Sequence, residues 1–439
     1  MVRASRRVVI TGLGLISPAG NTCEALWDAL VGGRPLVGPV TSFATDFLPT
    51  RYAAEARDFT AHIDDFGPLE GEKKKAIRKT LKVMCREALM GVAAAQRAIH
   101  DAGLVEGQFD PDRTGSVFGS DYMITAPEDF SAGILKCLSA ERRFEFSRWA
   151  KEGLPQLNPL WLLKYLPNMP AAHVAIYNDM RGPNNSITVR EASANLAIGE
   201  AYRIIARGAA DAMVTGSTGT RIHPMKMVHA VTQEEVASNG ADPSTVSRPF
   251  DLHRSGMVLG EGAGALVLEE LRTAQARGAR IYGEVVGQAS ASVAARRLVA
   301  VRRQALLNAM RGALLDAELE PDALGHLHAH GLSTRSCDVD EAEAVQELFA
   351  QRQRPLAVVA AKSAFGNLGA GSGAVELIAS LLALGRGTLF PVHNYTTPDP
   401  DCPLAVVRST DVPAGEYALS TNVTPQGQAS AIIVRKWTD

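Results

Sequence analysis

A chain of 439 residues with 46% of them hydrophobic has ample material for a large core, built as two ordinary domains or as one duplicated unit. Lys and Arg total 45 against 47 Asp and Glu, a formal net charge of −2, and no basic segment exceeds short runs such as Lys73-Lys74-Lys75. That balance argues against nucleic acid or an anionic membrane as a main partner. Cys23, Cys85, Cys137, Cys337 and Cys402 are widely spread with no CxxC pair, which suits a reducing cytoplasm better than a disulfide framework or a metal site.

In chain order, Met1–Arg7 carries three arginines but leads into the strand-like Val8-Val9-Ile10 rather than a long apolar helix with a cleavage site, so neither a signal peptide nor a membrane span is expected. Residues 7–10, 115–119, 212–215, 263–268, 357–361 and 429–434 read as strands, with amphipathic helices between several of them, the pattern of a layered α/β protein. Leu81, Met84, Cys85, Ala88, Leu89, Val92, Ala95 and Ile99 fall at helical spacing, predicting a helix over 78–102 that stops before Gly103. From about 121 to 181 the pattern turns irregular, around Trp149 and Trp161, and predicts a helical excursion covering a pocket or a subunit interface. Two stretches share one plan: Ser186-Ile-Thr-Val before a helix through Ile198-Gly199, and Val358-Val-Ala-Ala before a helix through Val375-Glu376. An internal duplication is the economical reading, with halves at 1–269 and 270–439.

Five separated blocks carry more specific information. They are Val8-Val-Ile-Thr-Gly-Leu-Gly-Leu-Ile-Ser-Pro-Ala-Gly-Asn21; Leu166-Pro-Asn-Met-Pro-Ala-Ala-His173 with Arg181-Gly-Pro183; Arg248-Pro-Phe-Asp-Leu-His-Arg254 with Gly260-Glu-Gly-Ala-Gly264; Ala329-His-Gly-Leu-Ser-Thr334; and Lys362-Ser-Ala-Phe-Gly-Asn367. The glycine run from Gly366 to Gly373 lacks the Gly-Lys-Ser/Thr ending of a phosphate loop. In this order and spacing the blocks resemble the elongating β-ketoacyl-acyl-carrier-protein synthases across nearly the whole chain. The resemblance implies the thiolase-like fold, a duplicated five-layer α-β-α-β-α arrangement. It also implies substrates carried on the phosphopantetheine of an acyl carrier protein, with no other cofactor.

A condensing enzyme of this family uses a cysteine thiolate at a helix N-terminus, where backbone N–H groups lower its pKa and form an oxyanion hole, together with two histidines. Counting back eight residues from Gly199 to the family's cysteine position reaches Glu191, and counting forward from Gly182-Pro183 reaches the same residue. Ser193 would need a two-residue slip to take that place. His330 stands at one histidine position, Asn367 at the other, and Lys362 is kept. Ser333 and Thr334 fall where the family holds the phosphopantetheine arm, while His326 and His328 read as ordinary strand residues. The family's flexible, glycine-rich C-terminal loop appears as Asn422-Val-Thr-Pro-Gln-Gly-Gln-Ala-Ser430, with Thr424 at the gating phenylalanine and Pro425 stiffening the loop.

A carboxylate is a poor acyl carrier, because its mixed anhydride is more reactive than the thioester it replaces. The expectation is therefore a non-condensing partner subunit similar to a chain-length factor, although that class usually carries glutamine at this position. It would pair as a homodimer or a heterodimer with an active ketosynthase, through the strand near Ser186–Val189. The alternatives are an enzyme using Glu191 and His330 as acid and base, decarboxylation of a malonyl carrier, which an ionised Glu191 would oppose, and conventional 3-oxoacyl synthesis, which the missing thiol disfavours.

Overall fold

The computed structural model describes residues 6–438 apart from 105–106, 239 and 241, so the part of the N-terminal reading that rests on residues 1–5 lies outside it. The strands that matter here are β1 (Val8–Ile16), β2 (Thr114–Ser120), β3 (Asn184–Thr188), β4 (Ala212–Thr220), β5 (Leu259–Glu270), β6 (Gly283–Ser292), β7 (Leu324–His328), β8 (Ala357–Val359), β9 (Ala405–Val406), β10 (Tyr417–Val423) and β11 (Gln428–Lys436). The helices are α1 (Arg86–Asp101), α2 (Pro127–Lys136), α3 (Met169–Tyr177), α4 (Ser193–Ala206), α5 (Pro224–Gln233), α6 (Arg302–Asp316), α7 (Arg335–Phe349) and α8 (Ser372–Arg386).

One hydrogen-bonded path runs β9-β8-β7-β10-β11-β6-β1-β5-β4-β2-β3. Its two halves repeat each other. In the first, β1 pairs antiparallel with β5, β5 antiparallel with β4, β4 parallel with β2, and β2 parallel with β3. In the second, β6, β11, β10, β7 and β8 repeat those senses in the same chain order. Even an irregularity recurs: the register slips beside Gly12 in the first strand of one half and beside Gly287 in the first strand of the other. Both glycines admit a helix at close range, since a Cβ on Gly12 would lie 2.3 Å from the Ala98 carbonyl oxygen in α1, and one on Gly287 would lie 2.5 Å from that of Ala313 in α6. Only three residue pairs of β1 and β6 join the two half-sheets.

Helices α4 and α8 form the middle layer, each in contact with strands of both half-sheets. Helix α1, with α3, covers the outer face of the first half-sheet, and α6, with α7, that of the second, which gives five layers. The core strands are buried along nearly their whole length, β1 and β4 completely, and each large apolar side chain so enclosed contributes about 1.5–3 kcal/mol.

The helix expected over 78–102 is broken. Residues 71–80 form one helix and 81–83 a single tight turn; the backbone is extended at Met84 and Cys85, and α1 starts only at Arg86. The cause is tertiary: the Cys85 N–H is taken by the carbonyl of Lys164, and Met84 is buried. Its C-terminal end is as expected, Gly103 being left-handed at φ 62°. Residues 121–181 do form a helical excursion, with α2, short turns around Trp149 and Trp161, and α3. All five cysteines are unpaired and four are buried. Among the described residues no helix is long and apolar enough to cross a membrane.

Candidate active site

Edge strand β3 ends at Thr188, and the chain then makes a 3₁₀ turn, Arg190–Ala192, that runs straight into α4. Ser193 closes this turn with its own side chain, its Oγ accepting from the Val189 N–H at 2.7 Å and donating to the Ser120 carbonyl at 2.9 Å. The hydroxyl is thus fully committed. Glu191 stands at the helix start, 1% exposed.

The Glu191 carboxylate is gripped by Asn367, expected at the site, and by two arginines that the sequence reading did not anticipate. Its Oε1 accepts from Arg221 Nη1 at 2.6 Å and from Asn367 Nδ2 at 3.1 Å, while Arg190 Nε lies 3.4 Å from Oε2 as an ion pair without hydrogen-bond alignment. Both arginines reach on to Glu234, just beyond α5: Arg190 Nη2 donates to its Oε1 at 2.8 Å, and Arg221 donates to the same oxygen. Burial alone would raise the Glu191 pKa, but the two guanidinium groups outweigh it and hold the carboxyl at about 2. Arg190 follows β3 directly and adjoins Glu191, so it was open to notice. Arg221, buried just after β4, carried no spacing signal.

Asn367 ties this turn to the second half of the chain. Its Oδ1 accepts from the Gly369 N–H at 3.0 Å and from Ser372 Oγ at 3.3 Å, so both ends of its amide are used and Nδ2 is aimed at Glu191. His330 follows β7. Its backbone N–H and that of Gly331 both donate to the Glu341 carboxylate. Lys362 Nζ lies 3.3 Å from His330 Nδ1 and also donates to Glu376, whose other oxygen accepts from Asn422 Nδ2 at 2.8 Å. Because Lys362 only donates, Nδ1 is the acceptor and the ring proton sits on Nε2, which has no protein partner. Burial and the nearby Lys362 ammonium push the His330 pKa well down, so the ring is neutral.

Glu191, Glu234, Met257, His330, Thr334 and Pro425 line one cleft of about 180 Å³. The site residues expected from sequence divide here. Glu191, Asn367, His330 and Lys362 come together, and Thr334 lines the cleft while capping α7 by accepting from the Cys337 N–H at 3.2 Å. Ser333 and Thr424 are fully buried and absent from the lining, because their hydroxyls serve the backbone: Ser333 Oγ accepts from the Arg248 N–H at 3.0 Å, and Thr424 Oγ1 from the Gln428 N–H at 3.2 Å. Residues 424–427 form a tight turn with Pro425 second and a left-handed Gly427 at its end. His326 and His328 are buried strand residues joined through Ser380.

Residues 5–274 match the Beta-ketoacyl synthase, N-terminal domain, and residues 282–396 the Beta-ketoacyl synthase, C-terminal domain. A 3-oxoacyl-[acyl-carrier-protein] synthase 2 of Synechocystis is 34% identical over 405 residues, covering 92% of this chain and 91% of that protein. Among solved structures, the ishigamide ketosynthase/chain length factor superposes with a TM-score of 0.82 at 27% identity, over 99% of this chain and 100% of that one. A type II polyketide acyl-carrier protein in complex with its ketosynthase gives a TM-score of 0.79 at 25% identity, over 99% and 100%.

Proposed function

The chain belongs to the β-ketoacyl synthase family of fatty-acid and polyketide biosynthesis, and on that premise we propose that it is a non-condensing partner subunit, similar to a chain-length factor, of an active ketosynthase. The observation that carries this reading is the locked Glu191 carboxylate. We take Glu191 to occupy the family's cysteine position, and there it is held as an anion by Arg221, Arg190 and Asn367. A nucleophile must leave such contacts to attack, and a general acid must hold a proton near neutral pH; with its pKa at about 2, Glu191 does neither.

The rest of the site supports binding without condensation. His330 lines the cleft and keeps a buried Nε2–H without a protein partner, a donor open to the carbonyl of a carrier-bound thioester, and Thr334 lines the same cleft. The tight 424–427 turn with Pro425 is ill suited to swing as a gate. Strand β3 ends the sheet with one edge unpaired, the geometry for pairing with a homologous subunit. We place the boundary of the two ketosynthase halves at 269/270, where β5 ends. The acyl carrier protein enters as the partner because a related ketosynthase has been seen in complex with one.

A second reading, an enzyme with altered chemistry on carrier-bound thioesters, draws on the free Nε2 of His330. One experiment separates the two. The purified chain is incubated with acyl- and malonyl-carriers, alone and with an active ketosynthase, and followed by intact-protein mass spectrometry and product assay. The expected result is no acylation and no elongation by the chain alone, with altered product length or yield in the pair. Carrier-dependent turnover by the chain alone that both Glu191→Gln and His330→Ala abolish would establish the second reading instead. Glu191→Cys puts a thiol between two arginines, which favours the thiolate. We expect acylation at most, and more product only when Asn367→His is added.

A further inference from the structure

Oε2 of Glu191 and Nε2 of His330 are buried without a hydrogen-bond partner in the protein, and both residues line the cleft. Leaving such atoms unpaired in the interior is costly, so a ligand that pairs them is favoured. Their chemistry is opposite and set by their neighbours. Oε1 of Glu191 takes the bonds from Arg221 and Asn367, which leaves Oε2 an anionic acceptor beside Arg190 Nε, at 3.4 Å but not aligned to donate. Nδ1 of His330 faces Lys362 Nζ at 3.3 Å, so Nε2 carries the proton and is a donor. Each side chain favours the charged form of the other, as groups lying close together do. One donor and one acceptor call for a ligand with the complement, an oxygen that accepts and a hydroxyl that donates.

The lining also selects against negative charge. Among the described residues it holds the carboxylates of Glu191, Glu234 and Glu235 and one guanidinium, that of Arg302, whose Nε already donates to Asp340 at 2.7 Å. A malonyl group would bring a further carboxylate to that surplus, and a 3-oxoacyl group would set a second acceptor against Oε2. We propose that the cleft takes a hydroxyacyl group on the carrier arm, its thioester carbonyl accepting from His330 Nε2–H and the hydroxyl of the acyl chain donating to Glu191 Oε2. This rests on the carrier reading of the site for the thioester; the choice of a neutral, hydroxyl-bearing acyl group comes from the two unpaired atoms and the charge of the lining.

The test titrates the full chain, by fluorescence anisotropy, with a labelled acyl carrier protein loaded with 2-hydroxybutyryl, 3-hydroxybutyryl, butyryl, 3-oxobutyryl or malonyl groups. At least one hydroxybutyryl carrier should bind about tenfold tighter than the butyryl carrier, and the malonyl carrier should bind weakest. Glu191→Gln, which keeps the size and removes the charge, should cut that preference to about threefold or less and strengthen malonyl binding. If that variant does not fold, Glu191→Asp, which keeps the charge and draws the oxygen back, should lose the preference and still exclude malonyl. The same acyl groups on N-acetylcysteamine, read by ligand-observed NMR, probe the cleft with no carrier. Equal affinity for hydroxybutyryl and butyryl in both formats overturns the hydroxyacyl assignment and spares the carrier reading. Discrimination among the small thioesters with no binding of any loaded carrier overturns the carrier reading and spares the assignment of the cleft. No binding in either format overturns both, and a preference that the Glu191 variants leave intact overturns Glu191 as the acceptor.

Discussion

Two short turns at the centre of the molecule share a backbone and differ in everything else. Arg190–Ala192 leads into α4 and Gly369–Gly371 into α8; each is a 3₁₀ turn before a long middle-layer helix, and each opens on a left-handed residue, Arg190 at φ 47° and Gly369 at φ 62°. They lie against one another across the interface of the halves. One sequence is Arg-Glu-Ala and the other Gly-Ala-Gly. The bare turn serves the charged one: a Cβ on Gly369 would come 3.4 Å from Cγ of Arg221, so the missing side chain leaves room along which Arg221 reaches Glu191. Arg190 tolerates a conformation that favours glycine because its guanidinium is anchored to Glu191 and Glu234.

If electrostatics hold the charged turn in place, deleting its anion has the largest effect. Glu191→Ala leaves the buried Arg221 and the partly buried Arg190 short of a counter-charge and should cost about 3–5 kcal/mol, read by urea unfolding. A loss below about 1 kcal/mol, the size of an ordinary substitution, would mean that the backbone alone holds the turn.

Acid should separate the two halves. The folded-state pKa of Glu191, about 2, lies below its ordinary 4.5, so the stability it contributes is full above pH 4.5 and lost as pH falls towards 2, about 3 kcal/mol in all. In the second half, the Ala361 N–H donates to His328 Nε2, His328 Nδ1 meets Ser380 Oγ, Ser380 meets His326 Nε2, and His326 Nδ1 meets the Ala414 carbonyl. An added proton sets donor against donor in that chain. Burial lowers His326 from 6.5 to about 4, so its contribution, also about 3 kcal/mol, is full above pH 6.5 and lost between there and 4. Unfolding free energy measured against pH should therefore fall in two windows. His326→Gln should shrink the upper one, to which the buried His328 and His330 also contribute, and Glu191→Gln the lower; one variant shrinking both would show that the two halves do not titrate independently.

The smallest expected effect is at the bare turn. Gly369→Ala places a Cβ in the left-handed region beside Arg221 and should cost about 1–2 kcal/mol. A double-mutant cycle with Arg221→Lys should show coupling above about 0.5 kcal/mol, since the two positions touch. Strict additivity would deny that Gly369 makes room for the arginine.

The repeated strand–turn–helix plan was legible because apolar β-branched runs followed by helical spacing are local signals, as with Ser186-Ile-Thr-Val before α4 and Val358-Val-Ala-Ala before α8. Asn367, His330 and Lys362 were legible because each stands in a motif block, and Glu191 because it lies at a fixed count from Gly182-Pro183 and from Gly199. The break at Met84–Cys85 was not: the helical spacing runs through it, and only the Lys164 carbonyl from another segment captures the Cys85 N–H. Arg221 and Glu234 were hidden for the same reason, being close to Glu191 in space through three separate elements rather than through spacing. Ser333 and Thr424 show the converse: a motif position names the residue, but the direction of its hydroxyl follows from which backbone N–H lies nearby.

The amide of Asn367, bonded to the anion on one side and to the start of α8 on the other, bears on how such a site changes over generations. A lineage replacing Glu191 with a thiol would exchange a carboxylate that accepts from Arg221 and Asn367 for a single sulfur, losing those paired contacts. One replacing Asn367 first would lose the amide that meets the carboxylate and the bonds that its oxygen accepts from the Gly369 N–H and the Ser372 hydroxyl. Neither single step is neutral, and Arg221 and Arg190 penalise both. The charged cluster therefore couples these positions: on the proposed non-condensing reading, a change to condensing chemistry calls for coordinated substitutions on both halves of the chain.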